Sequence, residues 1–239
     1  MAILLVTDNS IALGTCQELA AQYLDIDIYQ SPGGSLTGLS SIDLSSNVEQ
    51  ITTGYDLVLS VHSRQLFPGQ LISSVRCINV HPGLNPYNRG WFPHVFSILN
   101  GLPAGVTIHE MTEDLDHGPI IVQAECPVRE SDTSGSLYGR LMQVERDLLI
   151  DNFELIRSGS YRCKLLSEQG NLNYKKDYQA LLELDLGTID SLGNFLNRLR
   201  ALTHGDYRNA FFYDENGSKV YVRVSLDRDA PGETVDSHE

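Results

Sequence analysis

Short apolar runs alternate with amphipathic stretches through the first half of the chain. Residues 3–6 (Ile-Leu-Leu-Val) form one run, and Thr7-Asp8-Asn9-Ser10 behind it supplies both a strand end and a helix cap. Residues 11–23 then carry apolar positions at mixed helical spacing. Further strands are predicted at 26–29, 56–61 and 76–80, the run 56–61 being apolar enough to be buried on both faces. Strands that alternate with helices and lack hairpin turns predict right-handed βαβ crossovers and a parallel sheet, with the ligand crevice beyond the carboxyl ends of the strands.

The pattern continues with a helix predicted at 90–100, with Pro93 in its first turn and Gly101 as its stop. A strand at 105–109, a polar loop at 111–118 and a strand at 119–128 follow. Asp132-Thr133-Ser134 opens the longest helix, whose buried stripe is Leu137, Leu141, Val144, Leu148, Leu149 and Phe153 and whose end lies near Ser158-Gly159. A looser polar stretch containing residues 171–177 comes next, with Asn171 to Tyr174 read as a turn, so a boundary is placed within 159–167. The last part holds an amphipathic helix (Leu192, Phe195, Leu196, Leu199, Leu202) and two β-prone runs, 211–213 and 220–224, around Asn216-Gly217. Asn-Gly between such runs predicts a hairpin. The expected organisation is an α/β, Rossmann-like domain with a mostly parallel sheet (1–162), a small C-terminal helix and β-hairpin region (163–226) and a mobile acidic tail (227–239).

Composition narrows the partners. In 239 residues, 17 Lys and Arg face 31 Asp and Glu, a formal charge of −14, and 41% of residues are hydrophobic. Such a chain buries a sizeable core and repels a phosphate backbone, which disfavours nucleic acid and favours a small-molecule partner. No run approaches the roughly 18 apolar residues of a membrane span, and the N-terminus lacks the positive flank of a signal peptide, so a cytoplasmic protein is expected. Cys16, Cys77, Cys126 and Cys163 lie far apart and are read as small buried apolar residues of a reducing compartment.

Candidate chemistry collects between residues 77 and 118, where four of the seven histidines fall (His81, His94, His109, His117). Asn79 and His81, two apart at a strand end, share a face. The imidazole exchanges protons near neutral pH and the amide donates to a developing oxyanion, while Asp116 in the later loop is placed to orient the histidine and raise its pKa. Those three roles suit addition of an amine to an acyl carbon. With no nucleophile elbow in the chain, direct transfer without an acyl-enzyme is favoured. His62, His94 and His117 are read as structural or supporting groups.

The ordered run Ile78-Asn79-Val80-His81-Pro82-Gly83-Leu84, then Gly90, Gly105-Val106-Thr107-Ile108-His109 and Leu115-Asp116-His117-Gly118-Pro119-Ile120 resembles the signature of the 10-formyltetrahydrofolate-dependent formyltransferases. The resemblance implies a Rossmann-like catalytic domain with Asn79, His81 and Asp116 as its triad. It also implies 10-formyltetrahydrofolate as co-substrate, held by Gln65, Phe67, His109, Glu110, Asp114 and Leu115, with the pterin along the backbone of 109–116. Three stretches, 60–68, 85–93 and 202–210, are similar to members that formylate dTDP-amino-dideoxysugars for O-antigen-type glycans, although Ser63-Arg64 stands where Cys-Lys is expected. The implied substrate is a dTDP-4-amino-4,6-dideoxyglucose, with a 3-amino sugar as the alternative. Tyr87, Asn88, Arg89, Trp91 and Lys175 are the residues expected to hold it, Arg89 as a fork for the pyrophosphate. By the same resemblance the C-terminal part supports a homodimer. In the expected mechanism a neutral amine attacks the formyl carbon while Asn79 and a protonated His81 stabilise the oxyanion.

Two readings from other classes compete. A metal-dependent hydrolase would use His81, His109, Asp116 and His117, but the chain lacks the close His-x-His or His-Glu-x-x-His spacings that preset a site, and no metal is expected. A catalytically silent sugar-nucleotide binder would have lost a triad position, and all three are present.

Overall fold

The computed structural model describes residues 1–227, so the predicted acidic tail lies outside the described residues except for Asp227. The chain runs β1 (Ile3–Val6), α1 (Ser10–Gln22), β2 (Ile26–Tyr29), α2 (Val48–Gly54), β3 (Leu57–Val61), α3 (Gly69–Ser74), β4 (Arg76–His81), β5 (Arg89–Gly90) and α4 (Pro93–Asn100). It continues β6 (Gly105–Glu110), β7 (Ile120–Glu125), α5 (Ser134–Ser158), β8 (Leu172–Asn173), α6 (Lys175–Leu182), α7 (Leu192–Leu202), β9 (Phe211–Tyr213) and β10 (Lys219–Tyr221).

Six strands form one sheet in the order β2-β1-β3-β4-β6-β7. The first four are parallel, as the alternation with helices requires, but β6 runs antiparallel to β4 and β7 antiparallel to β6. Strand alternation sorts the core into two layers. Ile3, Leu5, Leu57, Leu59, Ile78 and Val80 meet Ala12, Cys16 and Leu19 of α1 and Leu149, Phe153 and Ile156 of α5. Leu4, Val6, Val58 and Cys77 turn the other way, against Ile51 of α2 and Leu71 of α3. A third cluster joins Val95 and Ile98 of α4 and Leu137 and Leu141 of α5 to Ala201 and Leu202 of α7, and so fastens the C-terminal helix to the sheet domain.

Local chemistry sets the helix ends. Asn9 Oδ1 accepts from the backbone N–H groups of Ile11 and Ala12 to start α1. Thr133 and Ser136 exchange side-chain and backbone bonds at the start of α5, which Gly159 closes in the left-handed region at φ 71. The predicted helix at 90–100 begins only at Pro93, because Arg89 and Gly90 are drawn out as β5 and pair with β8. The stretch 171–174 read as a turn is that partner strand and its exit. The hairpin β9–β10 closes through residues 214–218, with Asp214 Oδ1 accepting from the N–H groups of Asn216 and Ser218, so its second strand begins at Lys219 rather than 220. Cys16, Cys77 and Cys126 are buried as expected, while Cys163 is exposed on the strap that follows α5.

Candidate active site

The carboxyl end of β4 carries the site. Asn79 and His81 share the face of Cys77, and the antiparallel register sets His109 of β6 directly opposite Asn79. The β6–β7 ladder shifts register between Ile108 and His109, where β7 carries one extra residue, while the β4–β6 ladder that faces His109 toward Asn79 stays regular. Asp116 arrives from the loop between β6 and β7 with φ 49, an uncommon conformation for a non-glycine residue.

Four side chains converge. Asn79 Nδ2 donates to Asp116 Oδ1 at 2.9 Å and lies 3.4 Å from His109 Nε2. His81 Nδ1 stands 3.6 Å from Asp116 Oδ2, and His109 Nε2 3.7 Å from Asp116 Oδ1. His109 Nδ1 is 2.8 Å from the Glu110 carbonyl, which only accepts, so that nitrogen carries the proton and Nε2 is left to accept from Asn79. His81, His109 and Asp116 are buried, whereas Asn79 is partly open. The cluster is therefore desolvated but reachable.

Charge follows burial. For Asp116 burial alone would raise the pKa, but His81, the neighbouring His109 ring and the Gly90 N–H together hold the carboxyl well below the usual carboxylate range. For His81 burial wins over the pull of Asp116, aided by His109, His62 and Arg89, and the imidazole pKa is lowered. This corrects the expectation of a raised pKa and a protonated His81: the ring is neutral at neutral pH. With Nδ1–H toward Asp116, the Nε2 lone pair is free, and that buried atom has no hydrogen-bond partner. It sits over Gly83, where any Cβ would collide with it. A neutral imidazole with an open basic nitrogen, backed by a carboxylate, is equipped to take a proton.

The expected folate-binding residues divide. Gln65 is fully employed inside the protein: Nε2 donates to the Ile42 carbonyl and to Ser31 Oγ, and Oε1 accepts from the Leu44 N–H. Phe67 packs beside Met111 against the α2–α3 cluster, bringing the loop after β3 next to the loop after β6. Glu110 Oε1 accepts from Tyr161 OH at 2.9 Å. Asp114 and Leu115 are exposed on the 111–119 loop, and His109 stands against Asn79 and Asp116.

Two expected substrate-binding residues are interior instead. Asn88, fully buried, ties together Ser97, Asn100 and Asn171 through its amide. Arg89, only 4% exposed, donates from Nη1 to the Leu115 carbonyl and from Nη2 to the Gln169 carbonyl, so its fork is occupied by backbone and does not face a pyrophosphate. Trp91, Lys175 and Tyr87 remain accessible. The Lys175 ammonium lies 5.4 Å from the centre of the exposed Trp91 ring.

The supporting histidines also find their places. His62 bonds Glu145 at 2.9 Å, and although burial alone would lower its pKa, that carboxylate outweighs it and raises it. His94 lies among Tyr138, His204 and Phe92, its pKa pushed down to about 3 by burial and by the neighbouring His204 and His62. His117 turns to the Glu168 carbonyl at 3.4 Å. Among the described residues no group of three or more His, Cys, Asp or Glu side chains is arranged to hold a metal ion. An open cleft of about 600 Å³ lies beside the start of α1, lined by Asn9, Tyr138, His204 and Tyr207, and none of Asn79, His81, His109 and Asp116 borders it.

Sequence reasoning passed over the groups that build this cluster: Asn85, whose Nδ2 donates to the Asp116 carbonyl at 2.8 Å, and Gly118, whose Cα lies against the Glu110 carbonyl. A family model for formyl transferase matches residues 30–153, and one for the N-formyltransferase dimerization C-terminal domain matches residues 177–228. The chain is 54% identical over 233 residues to dTDP-4-amino-4,6-dideoxyglucose formyltransferase of Mycobacterium tuberculosis (98% of this chain, 100% of that protein). Among solved structures, a sugar N-formyltransferase from Shewanella sp. FDAARGOS_354 superposes with TM-score 0.92 at 42% identity, covering 96% of this chain and 99% of that one. A formyltransferase from Anoxybacillus kamchatkensis, in complex with UDP-4,6-dideoxy-4-formamido-L-AltNAc and tetrahydrofolate, superposes with TM-score 0.61 at 25% identity, covering 84% and 98%. A triad met in order along the sequence, its convergence at the end of β4 and full-length likeness to these enzymes agree: the chain belongs to the formyltransferase family.

Proposed function

We propose that this protein is a cytoplasmic homodimer that transfers the formyl group of 10-formyltetrahydrofolate to the amino group of a dTDP-amino-dideoxysugar, dTDP-4-amino-4,6-dideoxyglucose in the first place, for an O-antigen or related glycan. The observation that carries the chemistry is the buried, unpartnered Nε2 of His81, backed by Asp116 and flanked by Asn79. The likeness to the mycobacterial enzyme over the whole chain supports the 4-amino sugar.

The folate supplies the formyl group. His81 Nε2 accepts the proton that the sugar's amine gives up as its nitrogen bonds the formyl carbon, Asp116 holds the imidazolium through Nδ1, and His81 then returns that proton to the folate nitrogen as its bond to the formyl carbon breaks. Asn79 keeps its short bond to Asp116 and gives its second N–H, now in a 3.4 Å contact with His109, to the formyl oxygen as charge develops there. Phe67, Asp114 and Leu115 border the folate, on the loops after β3 and β6, with Gln65, Glu110 and His109 shaping that border from behind. Trp91, Tyr87 and Lys175 offer an aromatic face and a cation to the nucleotide. The chain divides near residue 163 into the catalytic part and the region that pairs two copies. Leu186, Ile189 and Leu192, 71–98% exposed within that region, are the apolar surface that pairing would cover.

The test is mass spectrometry of reactions containing purified protein, 10-formyltetrahydrofolate and either dTDP-4-amino-4,6-dideoxyglucose or its 3-amino isomer. One added formyl group on the 4-amino sugar alone is expected. Formylation of the 3-amino isomer alone would refute the regiochemistry, and no product from either would refute the substrate class. Light scattering should return twice the chain mass of 26.5 kDa.

A further inference from the structure

Asp116 occupies a left-handed backbone conformation at φ 49, which a non-glycine residue keeps only when its surroundings over-determine it. Three bonds do so. Asn85 Nδ2 donates to its carbonyl at 2.8 Å, the Gly90 N–H donates to its Oδ2 at 3.0 Å, and Arg89 Nη1 donates to the preceding carbonyl, that of Leu115, at 2.8 Å. All three donors belong to the segment 85–90.

That segment is in turn held by chain that comes after α5. The Arg89 N–H donates to the Asn171 carbonyl at 3.0 Å and the Trp91 N–H to the Asn173 carbonyl at 2.9 Å. The Asn88 N–H donates to Asn171 Oδ1 at 2.9 Å, and Arg89 Nη2 to the Gln169 carbonyl at 2.9 Å. Gly90, at φ 88, lets the two backbones pass so closely that a Cβ there would collide with the Asn173 carbonyl. Arg89 therefore grips the loop of Asp116 with one amino group and the strap with the other. Arg89 is 4% exposed, and among the described residues its guanidinium pairs with no carboxylate. Burying a cation without a counter-charge is costly, so its use must lie in the planar, two-pronged geometry.

We propose, on the formyl-transfer reading, that Arg89 is a positioning residue: by joining the strap at Gln169 to the loop at Leu115 it sets the Asp116 carboxylate against His81. The catalytic site is then completed by residues 169–173, beyond the segment 30–153 that the catalytic family model covers. A lysine keeps the charge but is a single point, and it does not span two carbonyls.

The test uses the full chain with Arg89→Lys. A displacement of the carboxylate by about 1 Å is expected to lower kcat by ~10²-fold. KM for the amino sugar should stay within about threefold, because Arg89 does not touch it; the folate KM carries no part of the test, since Arg89 holds Leu115 at the folate border. A purely structural role would leave the titration of His81, followed by NMR of the imidazole, unmoved. Positioning shifts it to lower pH than in the wild type, because Asp116 is the group that opposes the effect of burial while the nearby cation is retained. Asn171→Ala removes the side-chain link to Asn88 at a distance from Asp116 and should move both readouts the same way by less; it carries the test if Arg89→Lys does not fold. Wild-type kcat in Arg89→Lys, or a lowered kcat with an unmoved His81 titration, overturns the proposal. If the wild-type protein formylates no amino sugar the functional reading fails by itself, and the titration still decides whether Arg89 sets Asp116.

Discussion

Replacing Asp116 by asparagine asks one atom to do the opposite of its present task. Both carboxylate oxygens accept: Oδ1 from Asn79 Nδ2 at 2.9 Å and Oδ2 from the Gly90 N–H at 3.0 Å. An amide keeps one oxygen, so whichever way it is turned its NH2 faces a donor, and one buried donor loses its partner at a cost of about 1–3 kcal/mol. At about 2–4 °C per kcal/mol for a chain of this size, Tm should fall by about 2–12 °C. The kinetic effect is larger. The negative charge that counters the burial of His81 disappears, the ring loses its orienting acceptor, and proton transfer of this kind contributes ~10²–10⁴-fold, so kcat should drop within that range. Initial rates of formamido-sugar formation by mass spectrometry, beside thermal melts, measure both. The sign with pH is also fixed: a carboxyl with a lowered folded pKa stabilises above its ordinary value of 3.8 and loses that contribution as pH falls below it. The stability gap between wild type and variant should therefore close on acidification. Turnover within about fivefold of wild type, in a variant with unchanged Tm, would refute the assignment of Asp116 as the group that backs His81.

Glu145→Gln removes the partner of His62, whose folded pKa is raised; the ion pair stabilises below about pH 6.5 and is lost as pH rises through the folded value. Urea midpoints should show a loss of about 1.5–3 kcal/mol at pH 6 and a smaller one at pH 9, and equal losses would refute the charged pair. His94, held neutral with its pKa at about 3, contributes stability above pH 6.5 that is lost progressively as pH falls, so His94→Phe should flatten the acid limb of the stability profile between those values. An unchanged slope in urea titrations would place the acid sensitivity elsewhere. Gly118→Ala puts a Cβ into the Glu110 carbonyl, which also receives the His109 bond; a destabilisation of about 1–3 kcal/mol, read as a lower urea midpoint at unchanged m, is expected together with reduced turnover.

The parallel half of the sheet was legible because its strands are apolar on both faces. Ile3 to Val6 and Leu57 to Val61 are buried almost without exception, and such runs stand out in any sequence. Direction is another matter. Nothing in the alternation of residues 105–110 or 120–125 states which way a strand runs, and β6 and β7 are joined by a nine-residue loop that carries Asp116 instead of a short turn. The helices α2 and α3, seven and six residues long, are too short to establish a period, and β5 and β8 are two-residue strands that exist only because the strap meets the 85–90 segment.

The same limit explains which site residues were readable. Asn79 and His81 share a face by simple period-two geometry, and Asp116 is picked out by its loop position and again by the resemblance. His109 joins them only because an antiparallel register lays it opposite Asn79, a fact that follows from strand direction and not from residue type. Arg89 shows the converse error. A guanidinium suits a pyrophosphate and suits two carbonyls equally well, and side-chain chemistry alone does not distinguish them; burial does. In a chain of net charge −14, placing a cation inside is easier to overlook than placing one at the surface, yet it is the interior one that touches the loop of Asp116. The charges around His81 are few and desolvated, and on the positioning proposed for Arg89 their effect on the ring depends on where the chain after α5 returns to the sheet. Fold and site were thus legible up to the point where contacts between distant segments begin, and the site's electrostatics lie beyond it.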